Sequence, residues 1–181
     1  MANAERKPIM KTKIITIIAL AISAVVGPAQ ADTVWTTGHH EIIDGDIYTE
    51  IWMYNDATVD ILDGEIFKLE AFDMTGVDMF DGQMDLLFTH NDSTINIHGG
   101  HLGALASIEN SSVYLYAYDV VHHPTGGHFD GGWVEGNYLD NGLYFSFDLG
   151  ALDTFSHITV IPEPATFLLL ILGGLLIRKR Y

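Results

Sequence analysis

The stretches "NDATVDILDGEI" (Asn55–Ile66) and "NDSTINIHGGHL" (Asn91–Leu102) are near-copies of one another, 36 residues apart. A third copy, "DMTGVDMFDGQM" (Asp73–Met84), lies halfway between them, and a fourth, "ENSSVYLYAYDV" (Glu109–Val120), follows after another 18 residues. All four copies therefore share one register with a period of 18 residues. A fixed period of this kind is typical of repeat proteins whose units stack on one another.

The copies agree in chemistry as well as in spacing. A turn position holds Gly64, Gly82 and Gly100. The aliphatic columns are Val59, Val77, Ile95 and Val113; Ile61, Met79, Ile97 and Leu115; Ile66, Met84, Leu102 and Val120; and Ile51, Leu69, Leu87 and Leu105. Tyr118 interrupts the glycine column in the fourth copy. Upstream, "IIDGDI" (Ile42–Ile47) matches "ILDGEI" (Ile61–Ile66) at an offset of 19, which predicts one earlier coil with a one-residue adjustment.

The repeat predicts an all-β fold. Eighteen residues are too few for the helix pairs of the common helical repeats, whereas alternation of the kind seen in "TVDI" (Thr58–Ile61) between polar turns is typical of strands. We therefore predict a parallel β-solenoid with about 18 residues per coil. A hexapeptide helix is disfavoured because Glu65 follows Val59 by six residues, and a calcium-binding nonapeptide roll because Asp73 follows Gly64 by nine. A right-handed β-helix remains as the default.

The repeat decays after Asp119, and the sequence there predicts a cap. The segment "HHPTGGHFDGG" predicts a loop, and "WVEGNYL" and "LYFSFDL" flank an Asn141-Gly142 turn. Asn-Gly between alternating apolar segments is a strong hairpin signal. We expect this hairpin, with a last strand over Ser156–Ile161, to cover the open end of a solenoid domain spanning residues 32–160.

The charge distribution excludes one class of partner. Lys68 is the only Lys or Arg between Asp32 and Ile161, a range that holds all 24 Asp and Glu except Glu5 and Glu163, hence 22 acids against one base. The formal net charge of the whole chain is -16. Because phosphate backbones would be repelled, we expect no nucleic-acid partner.

The N-terminal segment has the three parts of a secretory signal peptide. Two lysines precede the apolar run Ile14–Val26, and the small residues Ala29 and Ala31 precede Asp32, where the mature chain is expected to begin. The run is shorter than the roughly 20 residues that a spanning helix needs. Met10 lies directly before this segment and is a candidate for the true start. The predicted signal peptide covers residues 1–31.

The C-terminal residues 161–181 also have three parts in a fixed order. These are Pro162, Glu163 and Pro164, then an uncharged run over residues 165–177 with a glycine pair, then Arg178, Lys179 and Arg180. On physical grounds the run predicts a short transmembrane helix, and we expect its basic tail to lie in the cytoplasm. The whole arrangement resembles the PEP-CTERM sorting signal of Gram-negative bacteria. The resemblance implies recognition by an exosortase after passage through the secretion machinery, removal of the tail, and a destination at the cell surface or in an extracellular matrix rich in exopolysaccharide.

Stacking would also bring polar residues together. The columns Asp60, Asp78, Asn96 and Asn55, Asp73, Asn91, Glu109 would place carboxylates about one strand spacing apart. Such ladders are expected to be turn residues that satisfy local backbone groups; the alternative is a Ca²⁺ site built from oxygen ligands. Weaker transition-metal candidates are His98 with His101, His122 with His123, and His128 with Asp130.

These observations lead to one expected role and two alternatives. Phosphate-loop, nucleophile-elbow and dinucleotide-binding motifs are missing from the sequence. We expect an exported structural or adhesive protein, without catalysis of its own, that contacts extracellular polysaccharide. Aromatic residues available for stacking on sugar rings, or for packing, are Trp52, Trp133, Tyr114, Tyr116 and Tyr118. The alternatives are a β-helix enzyme acting on polysaccharide, with Lys68 as the only Lys or Arg of the solenoid domain, and a Ca²⁺-dependent structural repeat.

Overall fold

The computed structural model describes residues 32–162. The predicted signal peptide, with Ala29 and Ala31, lies outside the described residues. So do Glu163, Pro164, the uncharged run 165–177 and the basic tail 178–180. Asp32 is exposed just before the first strand, and Pro162 follows the last strand directly.

The described chain is all-β, with thirteen strands and one 3-10 helix over Thr154–His157. The strands are β1 (Thr33–Trp35), β2 (His39–Ile42), β3 (Ile47–Met53), β4 (Thr58–Ile61), β5 (Glu65–Ala71), β6 (Gly76–Met79), β7 (Gln83–Thr89), β8 (Thr94–Ile97), β9 (His101–Ser107), β10 (Ser112–His123), β11 (Trp133–Tyr138), β12 (Tyr144–Leu149) and β13 (Ile158–Ile161). None of the helical structure in residues 32–162 is long and apolar enough to cross a bilayer.

The strands wind into a solenoid with an 18-residue repeat, as predicted. The seven-residue strands β3, β5, β7 and β9 pair in parallel and form one side, here named sheet A. The four-residue strands β4, β6 and β8 pair in parallel on the other side, named sheet B, which β2 and the first half of β10 extend. Leu69 pairs with Leu87 and Leu87 with Leu105, so residues 18 apart in sequence are neighbours in space.

The inward side chains explain why the coils stack. Those of Ile51, Leu69 and Leu105 are fully buried, and Leu87 is 1% exposed. A single coil would leave this apolar face in water, and burying one such side chain contributes roughly 1.5–3 kcal/mol. Each coil is thus stabilised by the coils before and after it.

Two corners of each coil require a left-handed backbone. Gly64, Gly82 and Gly100 have φ of 93°, 88° and 85°, a conformation that glycine adopts without a steric penalty. The opposite corner holds Asn55, Asp73, Asn91 and Glu109, with φ between 54° and 62°. Asn and Asp tolerate this region better than other non-glycine residues do, so the column of amides and carboxylates is turn chemistry, as predicted.

The one-residue adjustment in the first coil falls in a turn. Ile42 pairs with Ile61 at an offset of 19, but Tyr48 pairs with Ile66 at an offset of 18. The extra residue is therefore accommodated between β2 and β3. Tyr48, and not Ile47 as the sequence alignment indicated, occupies the buried column above Ile66.

The C-terminal end differs from the prediction in two ways. The hairpin of β11 and β12 covers the open edge of β9, but it does so by pairing as part of sheet A, in the order β9-β12-β11-β10. Val120 therefore leaves the column of Leu102, because the second half of β10 pairs antiparallel with β11. Tyr118 stands at the position of the turn glycine in the earlier coils. The strand therefore does not turn there but continues through a bulge between Tyr118 and Val121.

Two predicted boundaries also shift. His122 and His123 belong to β10 and not to the loop that follows it. Ser156 and His157 lie in the 3-10 helix, so the last strand covers only Ile158–Ile161, which pairs with β10 and extends sheet B. At the opposite end Trp35 packs on the core, and the ring of His40 stacks on it at 4.2 Å.

Candidate functional site

The predicted acidic column lies on the outward side of sheet B. Asp60 pairs with Asp78, and Asp78 with Asn96, so the two carboxylates occupy neighbouring strands. His39 lies next to them, with Nε2 3.7 Å from an Asp60 carboxylate oxygen. The structure thus brings these three column residues together, as the 18-residue period predicts. They lie within β4, β6 and β8 and not at turns, so the expectation of turn residues is wrong for this column.

The second acidic column is held by hydrogen bonds between coils. The carboxylate of Asp73 accepts the backbone N–H of Asn55 at 3.1 Å and the side-chain amide of Asn91 at 3.3 Å. Glu109 accepts the backbone N–H of Asn91 at 2.9 Å. Each carboxylate therefore satisfies an N–H group of the preceding corner. Within residues 32–162, three or more His, Cys, Asp or Glu never meet in a group that could hold a metal ion.

The histidines serve mainly as stacking partners. His98 lies between Phe80 and Tyr116, with ring centroids 4.8 and 3.9 Å away. His101 is the exposed first residue of β9. Because His98 packs between two rings, we interpret Phe80, His98 and Tyr116 as an aromatic stack that stabilises neighbouring coils.

Lys68 lies in a compact cluster on the outward side of sheet A. Its Nζ is 2.5 Å from a carboxylate oxygen of Glu70 and 3.8 Å from one of Glu50. The ammonium also lies 5.2 Å from the ring centre of Trp52 and 5.9 Å from that of Phe88. The hydrogen bond to Glu70 is the main cause that raises the pKa of Lys68. Lys68 is thus a protonated partner of two acids at neutral pH.

A further cluster lies on the outward face of β10, β11 and β12 and is named the hairpin platform: His123, Trp133, Glu135, Tyr144 and Asp148. Glu135 accepts a hydrogen bond from the Tyr144 hydroxyl at 2.5 Å and one from His123 Nε2 at 2.9 Å. These contacts, that of Tyr144 first, hold the pKa of Glu135 below its ordinary value. The same bond to Glu135 raises the pKa of Tyr144.

The platform also contains two stacked aromatic rings, those of His123 and Trp133. The rings of His123 and Trp133 are nearly parallel, with an interplanar angle of 10° and centroids 3.9 Å apart. Trp133 pairs across the hairpin with Asp148, which accepts a hydrogen bond from the exposed His128 at 2.6 Å. Three strands thus present aromatic rings and carboxylates on one face.

Sequence reasoning found part of this platform. It named Trp133 as an aromatic residue and His123 as a weak metal candidate, but it missed Glu135, Tyr144 and Asp148. Alternation in the hairpin strands places Trp133 and Glu135 on one face, which was a usable signal. The neighbours across the strands depend on the antiparallel register, which the repeat does not contain.

The other predicted aromatic residues are spread over both sheets. Trp52 lies with Lys68 on sheet A, and Tyr114 and Tyr116 lie in the first half of β10 on sheet B. Tyr118 is 37% exposed at the β10 bulge. No family model matches the chain, and neither the curated proteins nor the solved structures include a match to it.

Proposed function

We propose that this chain is an exported structural or adhesive protein that contacts exopolysaccharide at the cell surface or in the extracellular matrix. The resemblance of residues 161–181 to an exosortase sorting signal supports the destination. We also propose that the solenoid is a right-handed β-helix, in line with the usual hand of parallel β connections.

The observation that carries the binding role is the arrangement of polar and aromatic residues on the outside of the stacked coils. The inward columns are aliphatic, whereas carboxylates and exposed rings occupy outward positions. Tyr144 on sheet A is 62% exposed, and Tyr118 at the β10 bulge is 37% exposed. Exposed rings on a rigid scaffold favour contact with an extended partner over the enclosure of a small substrate.

The destination is tested on the protein isolated from its own cells and medium. Mass spectrometry of the intact chain is expected to give a mature N-terminus at Asp32 and a C-terminus near Pro162. An intact Tyr181 in the exported protein would contradict tail removal and indicate a retained anchor. An N-terminus at a residue before Ala31 would contradict the predicted cleavage of the signal peptide.

The binding role is tested separately with the exopolysaccharide purified from the producing cells. We expect the exported protein to co-sediment with this polymer and the polymer to withstand extraction less well when the gene is deleted. The control is the same folded protein centrifuged without the polymer, which should stay in the supernatant. Absence of co-sedimentation, together with an unchanged surface polymer in the deletion strain, would refute this role.

The alternative function is that of a β-helix enzyme acting on polysaccharide. The specific observation in its favour is the Lys68 cluster, where one cation lies between two carboxylates beside an aromatic ring. The raised pKa of Lys68 argues against its use as a general base at neutral pH, because the amine stays protonated.

Reducing-end release from the same polymer separates this alternative from simple binding. A binding protein releases no new ends, and Lys68→Met then leaves the assay unchanged. Release that depends on Lys68 would favour the enzyme, with Glu70→Gln as the matched variant of its closest partner.

A further inference from the structure

We propose that the hairpin platform is a binding site for an uncharged pyranose chain, with Tyr144 and Trp133 contacting sugar faces and Glu135 accepting hydrogen bonds from sugar hydroxyls. The proposal rests on the proposed polysaccharide contact and deepens it by naming the residues and the ligand class.

Tyr144 is the most exposed member of the platform, yet its position is fixed. The residue is 62% exposed, and its hydroxyl donates to Glu135 at 2.5 Å. A ring that is already held in place loses little conformational freedom when a ligand packs on it. Tyrosine also combines a flat apolar face with a polar edge, which suits a sugar ring with its C–H faces and hydroxyl rim.

Glu135 retains acceptor capacity after its contacts within the protein. An ionised carboxylate has about four lone-pair sites, and the structure uses two of them, for His123 and for Tyr144. The lowered pKa of Glu135 keeps it an acceptor at neutral pH. Sugar hydroxyls are donors that the remaining sites can accept.

Trp133 extends the platform along β11. It lies two residues from Glu135 on the same face of the strand, and its ring is supported by His123 at a centroid distance of 3.9 Å. The two aromatic groups thus lie on either side of the Glu135 carboxylate contacts. This arrangement suits successive units of a chain better than a single small molecule.

The position of the hairpin in the sheet argues against a peptide that adds as a strand. Both β11 and β12 are internal, since β12 pairs with β9 and β11 pairs with β10. Their backbone edges are already used, and strand addition requires a free edge. Recognition at the platform must therefore use side chains on the face of the sheet.

The local charge argues against an anionic polymer. Glu135 and Asp148 both lie in the platform, and residues 32–161 carry 22 acids against Lys68 alone. A uronate chain or a sulfated chain would be repelled at low salt. The ligand class is therefore an uncharged pyranose chain.

The test measures binding of the full-length protein in detergent to the producing cells' polymer and to uncharged cello-, malto- and N-acetylchito-hexaose. Tyr144→Ala is expected to weaken binding on the order of tenfold, and Tyr144→Phe less, since it keeps the ring. The matched control is Phe67→Ala, which removes another exposed ring of sheet A and should change affinity less than about twofold. Galacturonate hexamer should not bind.

A second measurement does not depend on removing a platform residue. With Trp35→Phe and Trp52→Phe, Trp133 is the only indole of the three that remains, and its emission should shift when the sugar binds. The wild-type protein could bind the polymer while the Trp133 emission does not shift and Tyr144→Ala binds with unchanged affinity. This result would overturn the platform as the binding site and leave the proposed function in place. Failure of the wild-type protein to bind the polymer or the hexaoses overturns the inference, and together with an unchanged surface polymer in the deletion strain it refutes the proposed function itself. A loss of sugar affinity in Phe67→Ala equal to that in Tyr144→Ala also overturns the inference. So does capture of a protein partner by the platform with no sugar binding.

Discussion

Substitution of Gly82 by alanine tests the stacking of the coils most directly. An ideal Cβ at Gly82 would lie 2.9 Å from the backbone carbon of Asp63 and 2.9 Å from the oxygen of Gly64, both in the preceding coil. Real Cβ atoms essentially never approach backbone this closely, so one coil must move relative to the next. The φ of +88° adds a separate penalty for any residue with a side chain.

Gly45 provides the matched control because it shares the backbone conformation and not the contact. Its φ is +87°, and an ideal Cβ there would meet nothing within 4 Å. Gly45 lies in the first coil, and no turn among residues 32–162 lies beneath it. Gly45→Ala therefore reports the conformational penalty alone, at about 1–2 kcal/mol.

The two substitutions are expected to differ in the free energy of unfolding. Overpacking typically costs about 1–3 kcal/mol in addition to the conformational penalty, so Gly82→Ala should lower stability by roughly 2–5 kcal/mol. Urea denaturation of the full chain in detergent, followed by far-UV circular dichroism, measures both variants. Equal destabilisation by Gly45→Ala and Gly82→Ala would refute the close approach between coils, and with it the 18-residue register of the turns.

Three further predictions concern the core, the corner column and the platform. Leu87→Ala, at a side chain 1% exposed, should cost about 2–5 kcal/mol by denaturation, whereas its outward neighbour Leu86→Ala should cost well under half of that value; similar costs would contradict the assigned faces. Asp73→Asn keeps one of the two oxygens that accept hydrogen bonds and should lower the melting temperature less than Asp73→Ala, which removes both, and added Ca²⁺ should have no effect; a large rise with Ca²⁺ would instead favour the metal alternative. Because Glu135 has a lowered pKa, its contribution to stability is present above the carboxyl pKa of the unfolded chain and is lost as the pH falls through the folded value. NMR titration should show Tyr144→Phe raising the pKa of Glu135, and an unchanged value would contradict the hydrogen bond.

The sequence was sufficient for the repeating part of the fold. In a parallel solenoid each coil contacts only its neighbours. Residues 18 apart in sequence are therefore neighbours in space, as the pairing of Leu69 with Leu87 shows. Gly82 and Asp73 mark the two corners because few other residue types adopt those backbone conformations at low cost. The columns could therefore be predicted before any coordinates.

The candidate binding site could be predicted only in part. The pairing of Asp60 with Asp78 follows from the period. The platform does not, because β12 could have paired with β10 or with β9, and sequence patterns do not distinguish these edges. Burial of Phe147 and Leu149 beside β9 accompanies the observed pairing.

The sequence by itself thus determined the period, the inward columns and the chemistry of the corners, all of which follow from local propensity and a one-dimensional repeat. The tertiary structure alone decided where the hairpin inserts, that Val120 leaves its column, and that Glu135 meets Tyr144 and His123. Those contacts join strands through antiparallel pairing, whose register depends on how the apolar side chains of the hairpin fill the end of the core.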